Sequence, residues 1–250
     1  MLKGSLIGDV IIELSEIDST NNYAMRLIDE GMAEHGMIVR ADFQTKGKGQ
    51  LANLWLAEES KNLLISAIID TREFAIEKQF FLNAATCLSV AEMLMTNYNI
   101  PHVSIKWPND IYAGDKKIAG ILIENSLRGS QWTNAVVGIG LNVNQAVFSD
   151  LNRATSMFNQ TQEKQKVKSV LKNLLKILNK HFLKIGNNED ALFEAFNLNL
   201  YKVNKEIAFT KKNESYKGIV KGVNAFGELE VEVAGKLKRY RHKEIELVLS

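Results

Sequence analysis

Lys106, at the end of a strand-like run in "KWPNDIYAGDKKIAGILIEN" (residues 106–125), is a cation placed where it can meet an anion. Pro108 stops ladder pairing, and Asn109 and Asp110 can bond backbone groups in the turn, so the chain is held where the ammonium emerges. A compact ammonium suits a phosphate or carboxylate and the charge that develops on phosphorus. The plain alternative is an edge-strand lysine reaching to solvent. A second segment, "QTKGKGQLANLW" (44–55), has the pattern G-x-G-x-x-A at Gly47, Gly49 and Ala52. An apolar run (37–39) precedes it and Asp70 lies about twenty residues on, which is the dinucleotide spacing. No G-K-[ST] closes the glycines, so a Walker loop is excluded. A Rossmann fold would need further βα units after Asp70, whereas one long helix and then hairpin-like strands follow. A flexible surface loop explains the glycines and lysines but not Gln44 and Trp55 at its ends.

Two more segments carry polar groups beside glycines or helix ends. "AVVGIGLNVN" (135–144) sets Gly138 and Gly140 in an apolar strand before Asn142 and Asn144. Glycine there lets a ligand or another backbone come close, and asparagine offers a donor and an acceptor; a β-bulge is the bland alternative. Ser19-Thr20-Asn21 stands at a helix start, where such residues cap, and where they also suit a small polar head group beside free N–H groups.

These residues need elements to position them. Residues 10–14 read as a strand; Ala24, Leu27 and Ile28 form the apolar stripe of a helix capped by Ser19 or Thr20 and stopped by Gly31. Strands are predicted at 37–43 and 63–69, and a long apolar helix at 77–98. After Pro101 the period changes to strands, with a type II′ hairpin turn at Gly114-Asp115. Residues 163–185 return to helix, their lysines on the solvated face. From about 201 short alternating strands between Asn/Gly turns read as a small barrel. The larger part is α+β rather than regular βαβ.

The chain has 250 residues, 46% of them hydrophobic, enough for a large core. With 31 Lys+Arg against 29 Asp+Glu the net charge is +2, too little to argue for nucleic acid or an anionic membrane. The single cysteine, Cys87, lies in an apolar run and reads as a buried thiol, and no disulfide can form within the chain. No signal-peptide pattern or eighteen-residue apolar run occurs, so a reducing cytoplasm is the expected compartment.

Taken in order, "DSTN", Q-T-x-G-x-G with a Trp eight residues past the first Gly, "KWPNDI…KIAGILIE" and "GIGLNVN" resemble the biotin protein ligases over about residues 10–145. The resemblance implies a mixed, mainly antiparallel sheet flanked by helices, like class II aminoacyl-tRNA synthetases, over residues 1–200. It also implies a C-terminal SH3-like β-barrel over 201–250. The implied reaction activates biotin with Mg2+ and ATP to biotinoyl-5′-AMP and passes the acyl group to a lysine of a biotin carboxyl carrier protein. Carried over by motif, Ser19, Thr20, Asn21 and Gln44 hold the biotin head; Gly47, Lys48, Gly49 and Gln50 lie along the chain and the carboxyl–phosphate junction. Trp55 closes over the adenylate, Gly120 packs close to biotin, and Lys106 is the catalytic cation beside carboxylate and α-phosphate. Lys48, Trp55, Lys106, Asn109 and Asn142 form the ATP side, Asn142 as a phosphate contact. No dedicated metal ligands are assigned.

Relatives commonly show G-R-G-R-x-G-R-x-W where this chain has G-K-G-Q-L-A-N-L-W, with Lys48 and Gln50 at two arginine positions and Ala52 at a glycine. Losing a charged hydrogen bond there weakens the grip on the adenylate by ~1–3 kcal/mol. The motifs begin by Asp18, so no DNA-binding domain is expected ahead of them, and the sequence leaves monomer or homodimer open. The rival readings are a lipoate or octanoate ligase, which has little use for the polar group at 19–21 and 44, and a biotin binder without catalysis. A nucleic-acid role for the basic residues between Lys236 and Lys243 competes with a lysine-protected edge strand.

Overall fold

The computed structural model describes residues 6–50, 53–148, 153–212 and 214–248. Ala52 of the glycine loop lies outside the described residues. Twelve strands form two sheets. The first contains β1 (Ile11–Ile17), β2 (Ile38–Gln44), β3 (Leu63–Asp70), β4 (Val103–Lys106), β5 (Asp110–Ala113), β6 (Lys116–Arg128) and β7 (Gln131–Leu141) in the order β1-β2-β3-β7-β6-β5-β4. Only β1 and β2 pair in parallel, joined by α1 (Thr20–Asp29); every other pair is antiparallel. The sheet is therefore mixed and mainly antiparallel, as expected.

Its two faces are covered differently. Ile65, Ile105, Ile111 and Ile139 point to the face packed by α2 (Gln79–Tyr98), α4 (Val167–Phe182) and α5 (Glu189–Leu198). Helix α2 is apolar nearly all round because it lies between sheet and helices. The other face is covered at one end by α1, where Ala24, Leu27 and Ile28 meet Val39, Ile68 and Val136. The rest of that face stays open.

Local signals mostly land within a few residues. Gly31, at φ 71, follows the last turn of α1, and Gly114, at φ 60, makes the two-residue turn between β5 and β6. The predicted helix at 163–185 is shorter, Val167–Phe182, because Asn144 holds Gln165 in both directions at 2.8 and 2.9 Å. Two helices were not expected: α3 (Met157–Thr161), capped by Ser156, and α5, capped by Asn188. After α5 the chain bonds Ile105 on both sides and covers the edge of β4.

The second sheet contains β8 (Glu206–Lys211), β9 (Glu214–Val223), β10 (Leu229–Val233), β11 (Lys236–Tyr240) and β12 (Glu246–Val248), in the order β11-β10-β9-β8-β12. β12 was not anticipated. Phe209 on β8 packs against Tyr240 on β11 with centroids 5.4 Å apart. Three strand spacings in a flat sheet would separate them by about 14 Å, so the sheet curls on itself as a small barrel does. Arg239 and Arg241 pair with Glu230 and Glu228, which favours the protected-edge reading of this basic stretch.

Candidate functional site

Strand register fixes what lies on the open face. Lys106 stands opposite Asp110, Asp110 opposite Gly120, Gly120 opposite Gly140 and Gly140 opposite Leu64. Two residues along, and so on the same face, run Leu122, Gly138 and Ser66. Lys106, Asp110, Gly120, Leu122, Gly138 and Gly140 of these rows floor a cleft of about 600 Å³, bounded by the start of α1, residues 48–50 and 53–55, and residues 210, 212 and 242–247.

One end of the cleft is a fixed polar seat. Gln44 Oε1 accepts from the Thr20 amide at 2.7 Å and from Thr20 Oγ1 at 3.1 Å, so a side chain of β2 caps α1 in place of Ser19. The one Ser66 hydroxyl proton is shared between Thr20 Oγ1 (2.8 Å) and Asn21 Oδ1 (2.5 Å), and Asn21 Nδ2 donates to Glu124 Oε2 at 2.8 Å. Gly138 is required beneath this group, since a Cβ there would lie 2.3 Å from Asn21 Oδ1.

The middle is a glycine floor roofed by tryptophan. A Cβ on Gly140 would lie 2.4 Å from the Trp55 indole, and one on Gly120 would lie 3.0 Å from it. Trp55 reaches this position from a tight hairpin in which Gly49 N–H bonds Asn53 O at 2.7 Å and Trp55 N–H bonds Gly47 O at 2.9 Å. The buried Trp55 Nε1–H has no partner among the described residues.

The other end is cationic. Lys117 Nζ pairs with Asp110 Oδ1 at 2.6 Å and lies 5.5 Å from the centre of the Trp55 ring. Lys106 Nζ lies 5.5 Å from the Tyr112 ring centre. Burial pulls the Lys106 ammonium below its usual range, opposed by Asp110 and reinforced by Lys117. An anion placed there would reverse that shift, which marks this end as a seat for a carboxylate or phosphate. His242 meets Trp107 edge to face at 6.0 Å, and burial lowers its pKa, so the imidazole is neutral at pH 7.

Of the residues singled out in the sequence, Ser19, Thr20, Asn21, Gln44, Lys48, Gly49, Gln50, Trp55, Lys106, Asn109 and Gly120 line the cleft. Asn109 does so while its amide bonds the Ile121 carbonyl, tying the turn to β6. Gly47 and Asn142 are not on its wall. Gly47 sits beneath the Trp55 carbonyl, and Asn142 is buried with its Nδ2 on Thr155 O at 2.9 Å and its Oδ1 without a partner among the described residues. Asp70, considered as a ribose partner, ends β3 and binds Arg72 instead. Lys117 and Ser66 were missed, while Glu124, singled out with Asp110 for metal or base work, instead bonds Asn21 and Lys48. Simple alternation puts Lys117 on the face opposite Gly120, but a bulge between the Ile111–Ala119 and Tyr112–Lys117 pairs turns it into the cleft. The only signal was the double lysine ahead of I-A-G.

A polar seat, a glycine floor and a cationic end on one face of a mixed sheet define a protein that binds an elongated molecule with a polar head and an acidic tail. Residues 14–142 match the Biotin/lipoate A/B protein ligase family, and the chain belongs to it. It is similar to the bifunctional ligase/repressor BirA of Bacillus spizizenii, 27% identical over 254 residues, covering 98% of this chain and 76% of that protein. It is also 23% identical to the biotin–[acetyl-CoA-carboxylase] ligase of Mycobacterium tuberculosis, covering 89% of this chain and 83% of that one. The structure of Aquifex aeolicus biotin protein ligase in complex with biotin and ATP superposes with a TM-score of 0.81 at 29% identity, covering 97% of this chain and all of the other.

Proposed function

We propose that this chain is an ATP-dependent biotin protein ligase, which forms biotinoyl-5′-AMP and transfers the acyl group to a lysine of a biotin carboxyl carrier protein. The observation that carries this reading is the polarity of the cleft: the Thr20–Asn21–Gln44–Ser66 seat at one end and Lys106 with Lys117 at the other. A ureido ring needs donors and acceptors fixed in advance, which a lipoyl ring would leave unpaired at a cost. The biotin carboxylate and the α-phosphate of ATP are both anionic, and bringing them together is opposed by their repulsion. Two lysines fixed where they meet offset that repulsion and the charge that grows on phosphorus. Attack by the carboxylate oxygen on the α-phosphorus releases pyrophosphate, and attack by the carrier lysine amine on the acyl carbon then releases AMP.

No cluster of three His, Cys, Asp or Glu able to hold a metal occurs among the described residues. Magnesium would be held by the ATP phosphates, with Asp110, Glu244 and Glu246 as the carboxylates of the cleft wall, and would neutralise phosphate charge there. Residues 1–200 would carry the chemistry and 201–250 would close the cleft from the other side. A cytoplasmic site of action and a carrier domain as acceptor complete the reading; no described helix is long and apolar enough to cross a membrane.

ATP–pyrophosphate exchange tests it. Exchange should require biotin and fall at least a hundredfold in Lys117→Ala, in line with the loss of one preorganised charge contact to a transition state. Exchange supported by lipoate and not by biotin would overturn the reading.

A further inference from the structure

Glu124 joins the polar seat to the hairpin that roofs the cleft. Its position on β6, opposite Val136, puts it on the open face beyond Gly120 and Leu122. Its carboxylate oxygens serve different partners: Oε2 accepts from Asn21 Nδ2 at 2.8 Å, and Oε1 faces Lys48 Nζ at 3.0 Å. Asn21 cannot shift to follow a moving partner, because Ser66 holds its oxygen and the backbone of Gly138 lies directly beneath it. The carboxylate is thereby presented at a set place. Lys48 is bridged to Leu54 across the hairpin, one residue before Trp55, so an anchor on Lys48 also seats the indole on Gly120 and Gly140.

We propose that Glu124 is a positioning residue that latches residues 47–50 and 53–55 over the cleft, and that Lys48 is committed to this ion pair rather than to a phosphate. The identity of the retained ligand rests on the ligase reading above; the latch itself is a contact within the protein. Retention of the acid and its adenylate then depends on a pair formed between two parts of the protein. Lys106, and Lys117 beside Asp110 at the other end of the cleft, are then the cations nearest the anion seat.

With side chains 29% and 40% exposed, the pair is partly screened, and its loss should shift the opening equilibrium by about three- to fivefold. The test uses the full chain as wild type, Glu124→Gln, Lys48→Gln and the double variant, with two readouts. The first is tryptic cleavage after Lys46, which is exposed while the following Gly47 is buried, so that cleavage reports local opening. The second is the dissociation rate of labelled biotin. Each single variant should speed both by about three- to fivefold, and the double variant should be no faster than either single, because the two substitutions remove one interaction. Single variants cleaved at the wild-type rate, or a double variant whose effect is the product of the two, would overturn the latch. If Glu124→Gln disturbs folding, Lys48→Gln, on the exposed half of the pair, decides through the cleavage readout alone. A wild type that binds no biotin would defeat the ligase reading while the cleavage comparison still judged the latch.

Discussion

Glycines 138 and 140 are where single atoms decide most. Gly140→Ala would drive a Cβ into the Trp55 indole and Gly138→Ala would drive one into Asn21, both against groups fixed on other sides. Overpacking of this kind costs about 1–3 kcal/mol, and here it should fall on ligand binding, since the hairpin can lift more easily than the sheet can bend. Calorimetric titration should show biotin affinity down at least tenfold in Gly140→Ala with a smaller change in melting temperature; the reverse split would place the glycine's role in folding. Gln50 lines the cleft where relatives commonly carry arginine. Gln50→Arg should slow dissociation of the adenylate about tenfold by restoring a charged hydrogen bond, and an unchanged off-rate would remove position 50 from the account.

The glycines were legible in the sequence because a glycine in an apolar strand already asks what approaches it. The polar residues at 19–21 and Gln44 were legible as a group, but not their wiring, since Ser66 sits inside an apolar strand and gives no local sign of facing Asn21. Lys117 was hidden by a bulge, which local alternation cannot announce. Lys106 was visible because Trp107 and Pro108 mark the end of its strand.

At the level of elements, the helical face is held by α2 against α4, and a buried histidine at their junction is set to titrate. His181 on α4 is buried, its Nε2 is 2.7 Å from Glu92 on α2, and its Nδ1 has no partner among the described residues. Burial pulls the imidazole below its usual 6.5, with Glu92 opposing. The unfolded chain therefore binds a proton near pH 6.5 that the folded chain resists, so this contribution is intact above that pH and is lost as pH falls below it. Melting temperature should drop between pH 7.5 and 5.5 by about 2–4 °C for each kcal/mol lost. His181→Gln, which can still bond Glu92, should flatten that dependence; an unchanged slope would assign it to other groups. The apolar run of α2 and the stripe of α4 were readable but not their pairing, and α5 was missed because its short stripe follows closely on a turn.

At the scale of the molecule, one apolar core runs from α2 through both sheets, with Phe80 packed edge to face on Phe196 and Gly227, in the turn between β9 and β10, set against Phe80. Trp107 ties the same junction by donating to Gly227 O at 2.9 Å. Cys87 lies wholly inside this core and burial raises its pKa well above the usual thiol range, so a thiol reagent should label it only as the whole core opens. Labelling in native buffer at the rate seen in denaturant would show that the core is looser than described. The division at 200/201 was suggested by a change of strand pattern, but what a local pattern could not disclose is that the second sheet turns residues 242–247 back over the open face of the first. The cleft is proposed to join biotin to ATP for transfer to a carrier lysine. Incubation of labelled biotin with the purified chain and a biotin carboxyl carrier domain, with ATP present or omitted, tests it most directly. Label should pass covalently to the carrier only with ATP and should be lost in Lys117→Ala, whereas biotin bound without any ATP-dependent transfer would contradict it.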